Sequence, residues 1–280
     1  MADDGRPLHV VVTGAGRGIG RATAARLAAA GAFVSAADID LDVVTATAQA
    51  LGPRVLPYHL DVTDEASWRR LLDDVVTTRG SIDVLVNNAG VMPLGAFAAE
   101  DLVVGRQTVD VDLWGVIVGT RLVLPAMLAA GAGHVINVAS AMADIATPGA
   151  AVYGAAKRAV VAFTEAVALE TAGTGVGFSV VLPAVVRTEL SGGVPAGGGV
   201  PWVDAEDVAA AIVATVAQPR PLVYVPAWVR HFRRLEPLVP RPMLRAALRA
   251  ARHDRVLTEM AAADRAQYDA RLRRQREHSA

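Results

Sequence analysis

The chain has 280 residues, of which 53% are hydrophobic and 20% charged, a composition that fits a folded α/β-type domain and excludes a minimal module or a disordered tail protein. It has no cysteine, which excludes disulfides, thiolate metal sites and a cysteine nucleophile. The net charge of −1 hides an asymmetry: residues 1–227 carry 14 basic and 22 acidic side chains, and residues 228–280 carry 13 and 6. We therefore predict a catalytic domain over 1–227 and a basic helical extension over 228–280.

The N-terminal segment MADDGRPLHV is acidic and leads directly into an apolar run. It lacks the basic and then apolar layout of a signal peptide, so a soluble, cytoplasmic protein is predicted. Residues 122–143 carry no charge over a length close to a bilayer crossing. Because Pro125 and Gly131-Ala132-Gly133 interrupt them, a helix end, a turn and a buried strand are the better interpretation.

Short β-branched runs alternate with longer helical patterns through the first 225 residues. The predicted strands are 8–13, 33–37, 54–59, 84–86, 134–138, 177–182 and 222–225, and the predicted helices are 18–30, 41–51, 64–79, 100–129, 152–172 and 204–217. The strands are apolar without clean alternation, which indicates burial on both faces. The pattern predicts one Rossmann-type, doubly wound parallel sheet of about seven strands.

After the first strand comes the turn Thr13-Gly14-Ala15-Gly16-Arg17-Gly18-Ile19-Gly20, which runs into a helix. Its spacing is TGxxxGxG and not GxGxxG. Backbone N–H groups at such a helix start converge where a pyrophosphate can bind. The alternative is that the glycines only make a tight turn.

Asp38 ends the second predicted strand, 18 residues after Gly20. A carboxylate there accepts hydrogen bonds from both adenosine ribose hydroxyls and repels a 2′-phosphate, which favours NAD over NADP. Arg17 argues the other way, because a guanidinium in the glycine turn can pair with a 2′-phosphate. A third interpretation places Asp38 merely beside the start of the second helix.

Tyr153 and Lys157 lie four residues apart at the start of a helical pattern, so the phenol and the ammonium share one face. Lys157 is the only lysine; the other 26 basic residues are arginine. A phenol acting as a base near neutral pH needs its pKa lowered by roughly three units, and Lys157 together with an oxidised nicotinamide ring can supply the positive charge that this requires. Ser140 follows the fifth strand and can hydrogen-bond a substrate oxygen.

With these motifs the sequence resembles the short-chain dehydrogenases/reductases over residues 8 to about 226. The resemblance implies that Ser140, Tyr153 and Lys157 are catalytic, and that the protein is a homodimer or homotetramer. It also implies cofactor contacts from Gly14, Gly18, Ile19, Gly20, Asp61, Val62, Asn88, Ala89, Gly90, Tyr153, Lys157, Pro183, Val186 and Thr188. Arg17 is a further candidate contact because of its charge in the glycine turn. No metal is implied.

Asp112 departs from the family pattern, which has Asn as the fourth member of a proton relay. The family residue is thought to act through its backbone carbonyl, which Asp retains. A working relay is therefore expected, and an ionised Asp112 close to Lys157 would alter how the site titrates.

Apolar residues predominate where the substrate is expected, namely between Thr188 and Asp204, at Met92, Pro93 and Leu94, and at Met142. Arg187 is the only basic residue near that loop. An uncharged hydrophobic alcohol or ketone is therefore favoured over an anionic substrate.

The extension has a stripe of basic residues at helical spacing, Arg241, Arg245, Arg249 and Arg252. Such a helix can lie on an anionic membrane, with Trp228, Phe232 and Leu235 as anchors. The favoured alternative is that the extension packs over the pocket or against another subunit. Nucleic-acid binding is not expected, because no aromatic-interleaved motif accompanies the arginines.

The sequence thus predicts an oxidoreductase that transfers hydride between NAD(H) and a hydrophobic secondary alcohol or ketone, with Tyr153 as general acid/base. One alternative is an NADPH-dependent carbonyl reductase. The other, of a different class, is a catalytically silent dinucleotide-binding or membrane-surface scaffold.

Overall fold

The computed structural model describes residues 6–194, 201–231, 243, 257–258 and 262–279. Its main feature is a seven-stranded parallel sheet. The strands are β1 (His9–Thr13), β2 (Phe33–Asp38), β3 (Val55–His59), β4 (Val84–Asn87), β5 (Gly133–Val138), β6 (Val176–Pro183) and β9 (Leu222–Val225). Their order in the sheet is β3-β2-β1-β4-β5-β6-β9. The predicted doubly wound α/β fold is confirmed, and each predicted strand is present with its ends shifted by at most one residue.

A small second sheet pairs β7 (Val185–Val186) with β8 (Trp202–Val203). The sequence analysis did not predict it. Two-residue strands carry no periodicity, and these two are 16 residues apart and pair only because the folded chain brings them together.

Helices cover both faces of the main sheet. They are α1 (Gly18–Ala29), α2 (Leu41–Leu51), α3 (Glu65–Arg79), α4 (Leu102–Val109), α5 (Gly115–Ala130), α6 (Ala151–Glu170) and α7 (Ala205–Ala217). Val10 and Val12 of β1 belong to the apolar cluster that α1, α2 and α7 cover, whereas Val11 belongs to the cluster under α3 and α5. All three valines are fully buried, which explains why the strand sequences do not alternate.

The predicted helix over 100–129 is not a single regular helix. A π-helical turn, Asp110–Trp114, separates α4 from α5. Such turns are short insertions that re-aim side chains, often at functional sites. The hydrophobic pattern could not reveal it, because one turn of different pitch barely changes the apolar stripe.

The charge-free stretch 122–143 forms the end of α5, a turn with Gly131 at φ +63°, and the buried strand β5. Among the described residues, the continuous helical run Leu102–Ala130 is the one helix long and apolar enough to cross a bilayer. Its C-terminal half packs on β4, β5 and α3, burying Val116, Val118, Val123 and Met127. It is therefore a core helix of the sheet layer.

In the C-terminal extension the structure describes α8 (Ala262–Ser279). The arginine stripe at positions 241, 245, 249 and 252 lies outside the described residues, as do Phe232 and Leu235. The domain division at residue 227 stays a prediction. What the structure adds is that α8 contacts the first domain at the carboxyl ends of the strands.

Trp68 of α3 provides a test of the core. It is fully buried with Leu71 and Val75, and its indole N–H donates to the Val62 carbonyl at 3.1 Å. Trp68→Ala is expected to lower the free energy of unfolding by about 3–5 kcal/mol, because it leaves a large cavity and an unpaired carbonyl. Urea unfolding measures this, with Val76→Ala on the exposed side of the same helix as control. Equal midpoints for the two variants would refute this packing.

Candidate active site

A cavity of about 550 Å³ opens at the carboxyl ends of the strands. It lies where the strand order reverses between β1 and β4, which is where open α/β sheets bind ligands. Predicted site residues that line it are Gly14, Arg17, Gly18, Ile19, Asp38, Asp61, Val62, Asn88, Ala89, Gly90, Ser140, Tyr153, Lys157, Pro183, Val186 and Thr188. The structure thus brings together the predicted site residues, apart from Gly20 and Asp112, which lie behind the cavity wall.

The glycine turn is built from backbone that other residues would not fit. Gly14 and Gly18 have φ angles of +64° and +50°, which L side chains rarely adopt. A Cβ at Gly20 would lie 2.1 Å from the Gly14 carbonyl oxygen. Gly20 therefore lets α1 start directly against the turn, although it does not itself line the cavity.

The N-terminus of α1 is left uncapped by the protein. Its N-cap residue, Arg17, makes no side-chain capping hydrogen bond, and the first turn has no acidic residue. By contrast, α2 and α3 begin with Asp40 and Asp64, whose carboxylates accept from their first-turn N–H groups. The free N–H groups and positive helix end of α1 face the cavity, so the site fits a dinucleotide pyrophosphate.

Thr13 and Asn88 tie the turn to the end of β4. The Thr13 hydroxyl accepts from the backbone N–H groups of Asn88 and Ala89, both at 3.0 Å. The Asn88 amide donates to the carbonyls of Thr13 and Gly14 at 2.9 and 3.2 Å. These bonds fix the two loops at the switch point relative to each other.

Asp38 supports the glycine turn as well as lining the cavity. Its carboxylate accepts from Gly16 N–H at 2.9 Å and Asp40 N–H at 3.1 Å. A carboxylate has about four acceptor sites, so two remain for ribose hydroxyls. The N-cap of α2 is Asp40 and not Asp38.

Arg17 is held by acidic partners. Its guanidinium lies 3.1 Å from Asp40 and 3.6 Å from Glu189. Together with Asp38, these carboxylates put three negative groups at the rim near the single guanidinium of the glycine turn.

The loops after β3 and β7 are also held by contacts within the protein. Asp61 Oδ1 accepts from the backbone N–H and the hydroxyl of Thr63 at 2.9 and 2.7 Å. Thr188, after β7, approaches the glycine turn: a Cβ at Gly18 would lie 3.1 Å from Thr188 Cγ2.

Ser140, Tyr153 and Lys157 converge at the floor of the cavity. Ser140 follows β5, and the other two occupy the first two turns of α6. A hydrogen bond joins the hydroxyls of Ser140 and Tyr153. Lys157 Nζ donates to the Val138 carbonyl at 3.2 Å and lies 5.7 Å from the centre of the Tyr153 ring.

The protein's own groups raise the pKa of Tyr153, so the lowering that base catalysis requires depends on the nicotinamide charge that was expected to act together with Lys157. Burial raises the pKa of this phenol, the charge of Asp112 raises it further, and the Ser140 hydrogen bond lowers it in part. In this state the protein alone keeps Tyr153 protonated. The expected effect of Lys157 is offset because its ammonium faces a carboxylate.

That carboxylate belongs to Asp112 in the π-helical turn. Asp112 is 0% exposed; its Oδ1 accepts from Val91 N–H at 2.8 Å and lies 3.7 Å from Lys157 Nζ. Its Oδ2 is buried without a hydrogen-bond partner. Burial raises the pKa of Asp112 to about 6 against the opposing effect of Lys157. The side chain, and not only the backbone, is thus part of the site.

The extension was predicted to pack over the pocket or against another subunit, but no residue of α8 was identified from the sequence as part of the site. Arg271, Leu272 and Gln275 line the same cavity, and Tyr268 and Arg265 bind the loop after β4. The available signal was the spacing of Tyr268 and Leu272, one helical turn apart, which places both on one face.

Comparisons with known proteins agree with this geometry. The short chain dehydrogenase family model matches residues 8–197. The putative oxidoreductase SadH of Mycobacterium tuberculosis is 40% identical over 163 residues, which are 57% of this chain and 59% of that protein. The meso-2,3-butanediol dehydrogenase of Serratia marcescens is 38% identical over 187 residues, 66% of this chain and 74% of that protein.

Among solved structures, a short chain dehydrogenase/reductase from Burkholderia phymatum in complex with NAD superposes with a TM-score of 0.75 at 28% identity. The match covers 82% of this chain and 92% of that chain.

Proposed function

Because the chain belongs to the short-chain dehydrogenase family, we propose that it oxidises a hydrophobic secondary alcohol, or reduces the ketone, with NAD(H) as the hydride carrier. The observation that carries this proposal is the convergence of Ser140, Tyr153 and Lys157 in the cavity that the uncapped N-terminus of α1 also faces. One end of the cavity fits a pyrophosphate and the other offers a proton donor beside a hydrogen-bonding hydroxyl.

Each catalytic side chain has a separate task. The Ser140 hydroxyl hydrogen-bonds the substrate oxygen and fixes its position. Tyr153 takes the alcohol proton in oxidation and returns it in reduction. Lys157 places a positive charge beside the phenol and can donate to ribose hydroxyls. The dinucleotide, when bound, supplies the hydride acceptor or donor.

The charges around the glycine turn support NAD over NADP. Asp38 keeps acceptor sites for ribose hydroxyls, and Asp40 and Glu189 occupy the Arg17 guanidinium. A 2′-phosphate would meet these three carboxylates, and Arg17 is already paired with two of them.

The substrate end supports an uncharged, apolar substrate. Tyr153 packs in an apolar cluster with Met92, Leu94, Met142 and Leu190. The relative from Serratia marcescens is named for a small diol with secondary hydroxyl groups. A secondary alcohol with an apolar body matches both the cluster and the proton donor.

Cofactor titration tests the proposal first. Following nicotinamide fluorescence, NADH is expected to bind at least about tenfold more tightly than NADPH. Asp38→Asn keeps one acceptor oxygen but removes the charge, so it should reduce the ratio of the Kd for NADPH to the Kd for NADH. Asp42→Asn removes a carboxylate from the exposed first turn of α2 and is the matched control.

A panel of apolar secondary alcohols then tests the chemistry. NADH formation at 340 nm with at least one of them is expected from the wild type. Preferred binding of NADPH would instead support a ketone reductase governed by Arg17. Binding of neither cofactor would refute the proposal and support the scaffold alternative.

A further inference from the structure

Helix α8 lies across the cleft of the proposed dehydrogenase. Tyr268 and Leu272 are buried against Val91, with Val111 and Leu190 at the edges of the same cluster. Val91 follows the Asn88–Gly90 turn, Val111 belongs to the π-helical turn, and Leu190 follows β7. The helix therefore bridges both sides of the cavity.

Two side chains anchor α8 to the loop after β4. Arg265, only 4% exposed, donates to the carbonyls of Met92 and Gly192 at 2.6 and 2.8 Å. Tyr268 accepts from Met92 N–H at 2.7 Å. Charge-assisted hydrogen bonds from a buried guanidinium are strong, so this docked position is specific.

Arg271 extends from α8 toward the glycine turn. Its Nη1 donates to the carboxylate of Glu189, and Glu189 also lies 3.6 Å from Arg17 of the turn. Arg271 Nε is buried and has no hydrogen-bond partner. A buried donor of this kind calls for a ligand atom, since burial without a partner is costly.

We propose that Arg271 binds the pyrophosphate of the dinucleotide, so that cofactor binding holds α8 closed over the cleft. Arg271 lines the cavity together with Gly14, Arg17 and Gly18, where the uncapped helix end attracts phosphate. A guanidinium presents a planar fork of donors that matches phosphate oxygens. The inference rests on the proposed function, because it requires a dinucleotide in the cleft.

Glu189 is the side chain that a bound pyrophosphate would have to displace from Arg271. Its carboxylate is an anion that occupies Arg271 and lies close to Arg17. It therefore competes with the pyrophosphate for the guanidinium. Removing its charge frees Arg271 for the ligand and removes repulsion of the phosphates.

Binding of two cofactor fragments separates phosphate recognition from other effects. ADP carries the pyrophosphate and adenosine does not, and each is titrated by displacement of NADH fluorescence. Arg271→Ala is expected to raise the Kd of ADP and of NADH by about tenfold to a hundredfold and to leave that of adenosine unchanged. Arg273→Ala, an exposed arginine on the same helix, should change none of the three.

The direction in which a second variant changes the Kd of ADP shows whether Arg271 binds the phosphates or only anchors the helix. Glu189→Gln is expected to lower the Kd of ADP. If the Arg271–Glu189 pair served only to dock α8, both variants would loosen the helix and weaken ADP binding together. Weaker ADP binding in both variants would overturn the proposal. An equal loss of adenosine and ADP binding in Arg271→Ala would overturn it as well.

Limited proteolysis with trypsin measures whether ligand binding holds α8 against the cleft. Trypsin cleaves after Arg273 and Arg274, and ADP is expected to slow this cleavage in the wild type but not in Arg271→Ala. Unchanged cleavage in the wild type with ADP bound would overturn the closing role. Failure of wild type to bind any dinucleotide would refute the proposed function itself, whereas equal ADP binding by wild type and Arg271→Ala refutes only this inference.

Discussion

Tyr153→Phe is expected to lower turnover with a secondary alcohol by about 10²–10⁴-fold while leaving the Kd of NADH within about twofold of wild type. The phenol is the acid–base group nearest the substrate end, and the hydroxyl of Ser140, its hydrogen-bond partner, is too weak a base to replace it. Phe keeps the ring that packs on Met92 and Ala150, so the fold is preserved.

Steady-state kinetics together with NADH titration measures the effect of this change. Tyr58→Phe is the matched control, because Tyr58 is a partly buried tyrosine of β3 that does not line the cavity. It should keep full turnover. Wild-type turnover by Tyr153→Phe with cofactor bound would eliminate the assigned acid–base role.

Asp112→Asn is expected to move the rising limb of the pH profile for alcohol oxidation to lower pH by about one unit. In the proposed mechanism oxidation requires the Tyr153 phenolate, and the ionised Asp112 carboxylate raises the pKa of Tyr153. Asn removes that charge and leaves the Lys157 ammonium, 3.7 Å away in the wild type, free to stabilise the phenolate. One unit on this limb is about a tenfold gain in rate at fixed pH.

The direction of the change depends on pH in a defined way. Burial raises the pKa of Asp112 to about 6, so below that pH the wild-type side chain is protonated and uncharged. The profiles of wild type and Asp112→Asn should therefore approach each other below about pH 6 and separate above it. In the reduction direction Tyr153 must be protonated, so the falling limb of the variant should also move to lower pH.

Rate profiles in both directions check this result. Asp73→Asn is the control, since Asp73 is an exposed carboxylate of α3 that does not line the cavity. Superimposable profiles for wild type and Asp112→Asn would show that the side chain does not act on Tyr153 and that only its backbone matters.

Local physics explains why so much of the fold could be predicted. Short runs of β-branched residues such as Val10-Val11-Val12 favour buried strand, and the glycines at 14 and 18 have backbone angles that form a turn. Asp64 marks the start of a helix by its side-chain chemistry alone. These features depend on neighbours in the sequence, so the order of strands and helices followed from it.

Parts of the candidate site depended on long-range contacts. The sequence identified Asp112 as a departure from the family pattern, but the π-helical turn determines that its carboxylate faces Lys157. It offered Arg17 as a candidate phosphate partner, but only folding brings Asp40 and Glu189 to it.

The sequence by itself determined the doubly wound sheet, the glycine turn, and the placement of Ser140, Tyr153 and Lys157 at strand and helix ends, because periodicity and turn chemistry act over a few residues. Only the tertiary structure decided that α8 covers the cleft. The bond between Met92 and Tyr268 joins residues 176 positions apart, and no local pattern encodes which distant surface an amphipathic helix will bury.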